Sequence, residues 1–345
     1  MKPSPFSSPE AFRGTFETGL RQLLSEYREL GVYILVLANA GYDPLVWRSL
    51  RQELGRRYRL LETNMRKGDR VGLILDDAED DLQVFRRLLA VGFGESLVKV
   101  CRRAGPWELQ FNPLRSFRPP RMTQKVIPHI SAPYDAVGFN FNKPFLRKEI
   151  LWQGWLCGRD AALFYNKFPF VDLHGLLVPE PRAGLSQLLR QQDNEYLWQL
   201  TETLARTLPG VGFGYNSLGA CASVNHLHFQ MFQRARALPV ASPDWRHNGG
   251  DREYPLSCWS FSNSTDAWRF ICELHGSDIS YNLIYLPGRL YCLPRRRQGT
   301  YHHSSWASGF AWYETAGGFT TFDRHQFGII GQQELEAELA LLANE

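Results

Sequence analysis

Residues 214–232 read GYNSLGACASVNHLHFQMF and carry the most informative pattern in the chain. The second half of this stretch alternates polar and apolar side chains, which is typical of a strand whose two faces point to opposite sides. One predicted face presents His226, His228 and Gln230, and the other is apolar. The small residues at 217–223 would let a ligand come close to the backbone. The stretch therefore predicts a strand that carries a polar site behind a close-approach loop.

The polar face of this strand suits chemistry on a phosphorus atom. An imidazole held by its neighbours is a good nucleophile toward phosphorus, and a nearby amide can stabilise a phosphoryl oxygen without competing for the proton. Two alternatives stay open on the residues alone. Histidines two apart could bind a metal with a carboxylate from elsewhere, although no Cys or Glu cluster accompanies them. The polar residues could also form only the outer face of a strand.

The composition is that of a globular protein and is compatible with a small anionic substrate. Hydrophobic residues make up 44% of the 345 residues and charged residues 21%. A chain of this length forms one large domain or two smaller ones. The net charge of +4 gives no support for nucleic acid or a membrane as the main partner, whereas an anionic small substrate fits it.

The spacing of the cysteines and the hydropathy of the sequence indicate in which cellular compartment the protein is expected. The six cysteines contain no C-x-x-C pair, which argues against a zinc ribbon or a thioredoxin-like redox site. The longest apolar run, VYILVLANA at 32–40, is far shorter than the ~20 residues needed to cross a bilayer. The N-terminus has no apolar segment of the kind found in a secretory signal. We therefore expect a cytoplasmic protein with reduced thiols.

The first hundred residues predict a small α/β unit. Residues 15–30 have the apolar spacing of a helix, and the run at 32–40 predicts a buried strand followed by a second helix that extends through Leu61. RVGLIL at 70–75 predicts another strand. The acidic DDAEDD at 76–81 suits the positive end of the helix that follows, and a metal site is the alternative interpretation.

The remainder of the chain predicts short strands with a few helices. From Trp107 the sequence is rich in strand-forming segments interrupted by proline. Residues 185–208 predict a helix, because their apolar positions recur at three and four without an internal Gly or Pro. YNLIYLPGRLYCLP at 281–294 predicts a hairpin that turns at Pro287 and Gly288, and residues 335–345 predict a closing helix.

Four segments of the sequence resemble a known family. HLHFQ at 226–230 is similar to the H-x-H-x-Q form of the histidine triad motif, as found in the galactose-1-phosphate uridylyltransferase-like branch of that superfamily. The longer string at 214–230 resembles the signature of the GDP-L-galactose phosphorylase and GDP-D-glucose phosphorylase family nearly residue for residue. VGFNFNKP at 137–144 and LFYNKFPFVDLHGLLVPEP at 163–181 resemble two further segments of that family, and the hairpin at 280–296 resembles a third.

The resemblance implies a nucleotidyl transfer reaction. Its second motif histidine, here His228, would attack the α-phosphorus of a nucleoside diphosphate sugar, expel the sugar 1-phosphate and carry the nucleotide until inorganic phosphate accepts it. Gln230 stands where histidine triad hydrolases have a third histidine. Because an amide cannot protonate a poor leaving group, it favours transfer from leaving groups that are already stable anions. The predicted catalytic set is therefore His226, His228 and Gln230.

Six further residues are implied as substrate-binding residues. Asn216 and Ser217 occupy the family's phosphate-holding loop, and Asn166 matches a position that contacts the nucleotide. His174 matches the hairpin histidine, with Leu173 in place of the glycine that usually precedes it. Lys143 would neutralise a phosphate or be an ordinary surface lysine. The predicted substrate-binding residues are Asn216, Ser217, Asn225, Asn166, His174 and Lys143.

The resemblance covers roughly residues 105–330, and residues 1–104 carry no match. It implies an α+β fold, with a histidine triad (HIT)-like antiparallel half-barrel sheet and flanking helices in a domain at 105–345, preceded by the α/β extension at 1–104. The function predicted is a GDP-hexose phosphorylase that uses phosphate and needs no metal and no cofactor. The alternatives are a dinucleoside polyphosphate phosphorylase or related nucleotidyltransferase, and a nucleotide-binding sensor without turnover. The oligomeric state is left open, with a homodimer as one candidate.

Overall fold

The structure of the protein is a computed structural model that describes residues 4–71, 78–118, 127–307 and 309–344. Its helices are α1 Pro9–Glu26, α2 Leu30–Tyr42, α3 Pro44–Val71, α4 Glu79–Val91, α5 Gln191–Ala205, α6 Ser264–Gly276, α7 Trp312–Thr315, α8 Arg324–Ile329 and α9 Gln332–Ala340. Its strands are β1 Val100–Ala104, β2 Trp107–Phe111, β3 Ile150–Leu156, β4 Arg159–Tyr165, β5 Gly175–Pro179, β6 Val211–Asn216, β7 Phe229–Gln233, β8 Trp259–Phe261, β9 Ser280–Leu286, β10 Arg289–Arg295 and β11 Gly318–Thr321.

The main body is an open antiparallel sheet of eight strands. Their order is β3-β4-β5-β7-β6-β9-β10-β8, and every neighbouring pair is antiparallel. The central strands β5, β7, β6 and β9 are almost wholly buried, which agrees with their mixed apolar sequences. The predicted α+β class, with an antiparallel sheet and flanking helices, is confirmed.

A second, three-stranded sheet lies beside the first. β2 pairs antiparallel with β1 and parallel with β11, so a strand close to the C-terminus joins a hairpin that precedes the main sheet. Trp107 on β2 stacks on Trp245 with ring centroids 5.2 Å apart, and both are fully buried. Trp245 belongs to the segment between β7 and β8, so this aromatic pair stabilises the packing of the second sheet against that segment.

The four N-terminal helices pack against one face of the main sheet. Buried residues of α1 and α2 belong to the same apolar cluster as Phe213, Tyr215 and Phe229 of the sheet. Tyr165 at the end of β4 donates a hydrogen bond of 2.8 Å to the carbonyl of Phe16. The boundary predicted between residues 104 and 105 falls in the turn of the β1-β2 hairpin. The division into two domains stays a prediction.

The strand predicted at 32–40 is wrong, because these residues lie inside α2. Helix α2 is buried on all sides, from Val32 to Tyr42 without a break. A helix without a polar face shows no 3.6-residue period, so its sequence cannot be told from that of a buried strand. Among the described residues, no helix has the length and apolar character needed to span a membrane.

The neighbouring N-terminal predictions are partly testable. The strand predicted at 70–75 lies outside the described residues from position 72 onward, and residues 70 and 71 end α3. The acidic stretch does begin a helix, since Glu79, Asp80 and Asp81 form the first turn of α4. Asp76 and Asp77 lie outside the described residues.

The later elements follow the sequence closely. The hairpin predicted at 281–294 is confirmed as β9 and β10, which turn at Pro287 and Gly288. The helix predicted at 185–208 is shorter and spans Gln191–Ala205, and residues 185–190 are not helical. The closing helix predicted from Leu335 begins at Gln332 instead.

Candidate active site

The predicted catalytic residues meet on the main sheet where β5, β6 and β7 lie side by side. Gln230 is on β7, and it pairs with Leu176 on β5 and with Gly214 on β6. Helix α7 closes this end of the sheet. A Cβ atom on Gly214 would lie 2.1 Å from the indole of Trp312, so only glycine lets α7 approach the strand here.

The regular strand begins later than the sequence predicts. His226 and His228 precede β7, which starts at Phe229. The side chain of Gln187 takes the place of a neighbouring strand at this point. Its Oε1 accepts from the amide of His228 at 2.9 Å, and its Nε2 donates to the carbonyls of His228 and Asn216 at 3.2 and 3.0 Å. One buried amide thus satisfies the backbone of the motif without a strand pair.

His228 is held in a defined tautomer. Its Nδ1 lies 2.8 Å from the carbonyl oxygen of His226, and because a carbonyl only accepts, Nδ1 carries the proton. The lone pair is therefore on Nε2, and no described residue forms a hydrogen bond to that atom. Burial lowers the pKa of His228 to about 4, partly offset by the bond to the His226 carbonyl. At neutral pH the ring is an uncharged imidazole with a free Nε2.

His226 has a structural position rather than an open one. It is fully buried, and its Nδ1 accepts from the backbone amide of Phe141 at 3.2 Å. Its Nε2 is buried and makes no hydrogen bond of normal geometry with a described residue. Burial lowers its pKa to about 4, His228 lowers it further, and the carbonyl of Pro181 acts in the opposite direction. The ring anchors the loop that contains Phe141 over the site.

Gln230 has its amide orientation fixed by two donors. Its Oε1 accepts from the indole N–H of Trp312 at 3.0 Å and lies 3.1 Å from Nε2 of His174. Because an indole N–H can only donate, the atom facing Trp312 must be the amide oxygen. The Gln230 amide nitrogen is thereby left without a hydrogen-bond partner among the described residues and is available to a ligand.

His174 and Asn166 support Gln230 from the β4-β5 connection. Nδ1 of His174 accepts from the amide of Phe170 at 3.3 Å, which leaves the proton on Nε2 for Gln230. Asn166 Nδ2 lies 3.2 Å from Nε2 and 3.4 Å from Nδ1 of the same ring. Burial, followed by the charge of Arg115, lowers the pKa of His174 to about 3. The predicted binding histidine therefore contacts the Gln230 amide.

Leu173 takes the unusual backbone conformation that the sequence comparison suggests. Its φ is 48°, in the left-handed region that favours glycine, and its side chain is buried in the main apolar cluster. Core packing of the leucine side chain offsets the strain, and the loop still brings His174 to Gln230.

Asn216 and Ser217 are close to the site but are differently engaged. Asn216 Oδ1 accepts from the backbone amide of Trp312 at 2.8 Å and from Asn282 at 2.7 Å. The Ser217 hydroxyl donates to the carbonyl of Leu218 and accepts from the amide of Tyr281. Ser217 is fully buried, and this structure leaves neither its hydroxyl nor its amide as a free donor to phosphate.

Asn225 and Lys143 lie at the edge of the site and hold its covering loop. Asn225 accepts from the amide of Gln187 at 2.9 Å and donates to the carbonyls of Ala132 and Pro133. The Lys143 ammonium donates to the carbonyls of Ala136 and Val137. The structure does not bring the Lys143 charge to His228 through any described contact.

A pair of arginines adds positive charge that the sequence reading missed. The Arg115 guanidinium lies 4.2 Å over the ring of Phe170 and donates to the Phe168 carbonyl. Burial, followed by the charge of Arg118, lowers the pKa of Arg115 to about 10. Burial also lowers the pKa of Arg118. The two arginines are three residues apart in the sequence, and this spacing could have indicated a positively charged site. Gln187 and Trp312 have no such local pattern.

Glu314 is the acidic group that faces these arginines. It is 4% exposed, and its carboxylate accepts from the amide of Ala311 at 3.0 Å. Burial raises its pKa, and the charge of Arg115 opposes that change. Over the described ranges, no three His, Cys, Asp or Glu side chains are grouped closely enough to hold a metal ion.

The candidate site lies in a part of the chain that matches a known family model. Residues 99–232 match the family model described as GDPGP1-like, N-terminal domain. This range contains every predicted site residue.

Two groups of curated relatives align with the same part of the chain. GDP-D-glucose phosphorylase 1 of Homo sapiens is 36% identical over 131 residues, which are 36% of this chain and 32% of the relative. GDP-L-galactose phosphorylase 2 of Arabidopsis thaliana is 29% identical over 139 residues, which are 35% of this chain and 32% of the relative. The chain thus matches about a third of the length of these relatives.

A solved structure shares the fold over a larger part of this chain than the curated relatives cover. The crystal structure of yeast Ap4A phosphorylase Apa2 in complex with Ap4A superposes with a TM-score of 0.50 and 13% identity, and it covers 77% of this chain and 98% of that one. At this identity the likeness concerns the fold alone, and it agrees with the predicted HIT-like class. In its central segment the chain is similar to the GDP-D-glucose and GDP-L-galactose phosphorylases, as its motifs indicate.

Proposed function

We propose that this protein is a GDP-hexose phosphorylase, which converts a GDP-hexose and inorganic phosphate into hexose 1-phosphate and GDP. The observation that carries the proposal is the state of His228, whose Nδ1 proton is held by the His226 carbonyl at 2.8 Å while Nε2 stays free. The names of the relatives supply the substrate class.

In the first step, the Nε2 lone pair of His228 attacks the α-phosphorus of the GDP-hexose. A P–N bond forms, the bond from the α-phosphorus to the bridging oxygen breaks, and the electron pair leaves with hexose 1-phosphate. The ring becomes a positively charged guanylyl-imidazolium whose Nδ1 proton still faces the His226 carbonyl. That carbonyl stabilises the charge as it develops.

In the second step, an oxygen of inorganic phosphate attacks the same phosphorus. The P–N bond breaks, its electron pair returns to Nε2, and GDP is released. The imidazole is regenerated as the neutral tautomer. Its pKa, lowered to about 4 by burial, keeps it unprotonated and nucleophilic at neutral pH.

Gln230 serves the transferred phosphoryl group rather than the leaving group. Its oxygen is occupied by Trp312 and His174, so the amide nitrogen donates to a non-bridging phosphoryl oxygen. The amide cannot transfer a proton to the leaving group. A sugar 1-phosphate leaving group does not need one, because it is stable as an anion. This restricts the reaction to phosphate leaving groups.

Arg115 and Arg118 supply the charge that draws phosphates to this end of the sheet. Burial disfavours the charged forms of both arginines, and the charge of Arg118 adds to this effect at Arg115, so an anion bound beside them would offset the cost. The charge of Arg115 lowers the pKa of His174, whose Nε2 contacts Gln230, which supports a role for this arginine close to Gln230. We assign them to the phosphates of the substrate or of the acceptor.

The small-molecule partners proposed are therefore a GDP-hexose and inorganic phosphate. We also propose that the protein acts in the cytoplasm, where its cysteines would stay reduced. All six cysteines fall within the described residues and are free.

The test is detection of the guanylyl intermediate. The protein is incubated with GDP-hexoses, other nucleoside diphosphate sugars and dinucleoside polyphosphates, with and without phosphate. Peptides are then mapped by mass spectrometry at alkaline pH, where a phosphoramidate survives. We expect a GMP adduct on His228 that disappears when phosphate is added, with release of GDP.

Two variants complete this experiment. His228→Asn should lose the adduct and turnover but still bind GDP-hexose, whereas His302→Asn, which changes an exposed histidine, should behave as wild type. Turnover by His228→Asn would remove the histidine from its role. Nucleotide binding without adduct or product from any compound would favour a sensor and refute the phosphorylase.

A further inference from the structure

A cavity lies between α2, the β1-β2 hairpin and the segment that follows β7, and it is lined by residues other than the predicted catalytic ones. Its volume is about 340 Å³, within the range of small-molecule sites. Neither His228 nor Gln230 lines it. It adjoins the candidate site through Asp172 and Tyr313, which line the cavity and neighbour His174 and Trp312 in sequence.

The cavity contains a buried arginine whose donors are only partly used. Arg234 is 8% exposed, and its Nη2 donates to both carboxylate oxygens of Glu108 at 2.8 and 2.7 Å. Its Nε and Nη1 are buried and have no hydrogen-bond partner in the part of the chain that the structure describes. Asp172 Oδ2 lies 4.0 Å from Nε, beyond hydrogen-bond distance. Buried donors are nearly always satisfied, so this arginine points to an absent acceptor.

The charge of the lining is strongly unbalanced. Both acidic groups are engaged, Glu108 with Arg234 and Asp172 with Lys99 at 3.4 Å. The exposed side chains of Arg103 and Arg236 stand at the opening and add further positive charge. Cations that line a concave wall concentrate an anion within it.

We propose that this cavity binds a phosphate monoester. The Arg234 guanidinium would turn its unpaired donors toward the phosphate oxygens at the base of the cavity, and Arg103 and Arg236 would neutralise the second negative charge at its opening. The volume leaves room for a sugar-sized group beside the phosphate. The site is separate from the proposed phosphorylase reaction, and its test requires no turnover.

The test is calorimetric titration with glucose 6-phosphate, with inorganic phosphate and with neutral glucose. We expect the phosphate compounds to bind and glucose not to. Arg103→Glu with Arg236→Glu should weaken binding by at least ~10-fold, the ratio that corresponds to about 1.4 kcal/mol. Both positions are exposed, but Arg103→Glu places a carboxylate opposite Glu108 across the β1-β2 hairpin, so circular dichroism must show that the variant is folded.

A matched variant controls for net charge. Arg87→Glu with Arg206→Glu makes the same charge change on exposed arginines outside the cavity and should bind as wild type. Arg118→Ala, which alters the candidate active site, should also keep this binding event. Inorganic phosphate also binds at the proposed active site, so both phosphate compounds are titrated in the Arg118→Ala background. There, if Arg103→Glu with Arg236→Glu abolishes glucose 6-phosphate binding alone, the cavity requires an ester, and if it abolishes binding of both compounds, the phosphate group is what the cavity recognises. Unchanged binding by the Arg103 and Arg236 variant, or no binding of either phosphate compound, would overturn the proposal.

Discussion

Trp312 determines which end of the Gln230 amide faces a ligand. An amide has two ends of similar shape, and only its hydrogen-bond partners distinguish them. The indole N–H at 3.0 Å selects the oxygen, and His174 adds a second contact to the same atom. The Trp312 ring also stacks on Phe232 with centroids 5.0 Å apart, so its packing and its hydrogen bond can be separated by mutation.

Trp312→Phe should lower kcat for GDP-hexose phosphorolysis by about 10-fold with little change in KM, because one charge-neutral hydrogen bond of about 1.4 kcal/mol is lost. The phenyl ring keeps the stack on Phe232, and the Gln230 amide becomes free to turn. Steady-state kinetics at saturating phosphate measures the split between kcat and KM.

The control is Trp245→Phe, which also removes an indole hydrogen bond from a buried stack. Trp245 donates to the Pro239 carbonyl at 2.8 Å, away from the candidate catalytic residues. It should lower the free energy of unfolding without changing kcat. Equal effects of the two substitutions on kcat would show that Trp312 has only a structural role.

Among the elements, those with a two-residue alternation or a turn signal were predictable from sequence. The β9-β10 hairpin has both, and the structure has it where it was expected. Helix α2 has neither, because burial on every side removes the polar face that marks a helix. Its surroundings are made by α1, α3 and α4, and such tertiary burial cannot be read from the apolar run itself.

The residues of the candidate site also fall into those that the sequence predicts and those that only the folded structure reveals. His226, His228 and Gln230 are neighbours in sequence, so their spacing carries information about them. Gln187 and Trp312 reach them from 41 and 82 residues away, through contacts made by ordinary side chains without a local pattern. Only the folded chain identifies a glutamine that replaces a strand and a tryptophan that orients an amide.

Two glycines on α1 provide a paired prediction for the helical layer. Glycine inside a helix normally costs about 0.5–1 kcal/mol relative to alanine. A Cβ on Gly14 would meet nothing within 4 Å, whereas a Cβ on Gly19 would lie 2.1 Å from the Tyr165 hydroxyl. We expect Gly14→Ala to raise the free energy of unfolding by that amount and Gly19→Ala to lower it, as measured by urea denaturation.

The loss at Gly19 should arise from displacement of the Tyr165 hydroxyl, which donates to Phe16 on the same helix. Tyr165→Phe removes the clashing oxygen, so Gly19→Ala should be less harmful in that background. Two glycines with the same stabilising response to alanine would contradict the close contact of α1 with β4.

At the scale of the whole molecule, the buried histidines make folding depend on pH. Burial lowers the pKa of His174 to about 3 and those of His226 and His228 to about 4, from an ordinary value of 6.5. As the pH falls below about 6.5, these three histidines therefore become protonated in the unfolded chain but stay neutral in the folded chain. Glu149 acts in the opposite direction, because burial raises its pKa to about 7 and the folded state gains that proton first.

We expect the free energy of unfolding to be highest above pH 6.5 and to fall as the pH is lowered toward 4, since the unfolded state binds more protons throughout that window. Each histidine should contribute about 1 kcal/mol to the loss at pH 5.5, and Glu149 should offset part of it. Urea denaturation at pH 7.5 and 5.5 measures the difference. Glu149→Gln should increase it, whereas His302→Gln should leave it unchanged because that histidine is exposed. A free energy that stays constant between these pH values in both wild type and Glu149→Gln would mean that the three histidines are not held neutral.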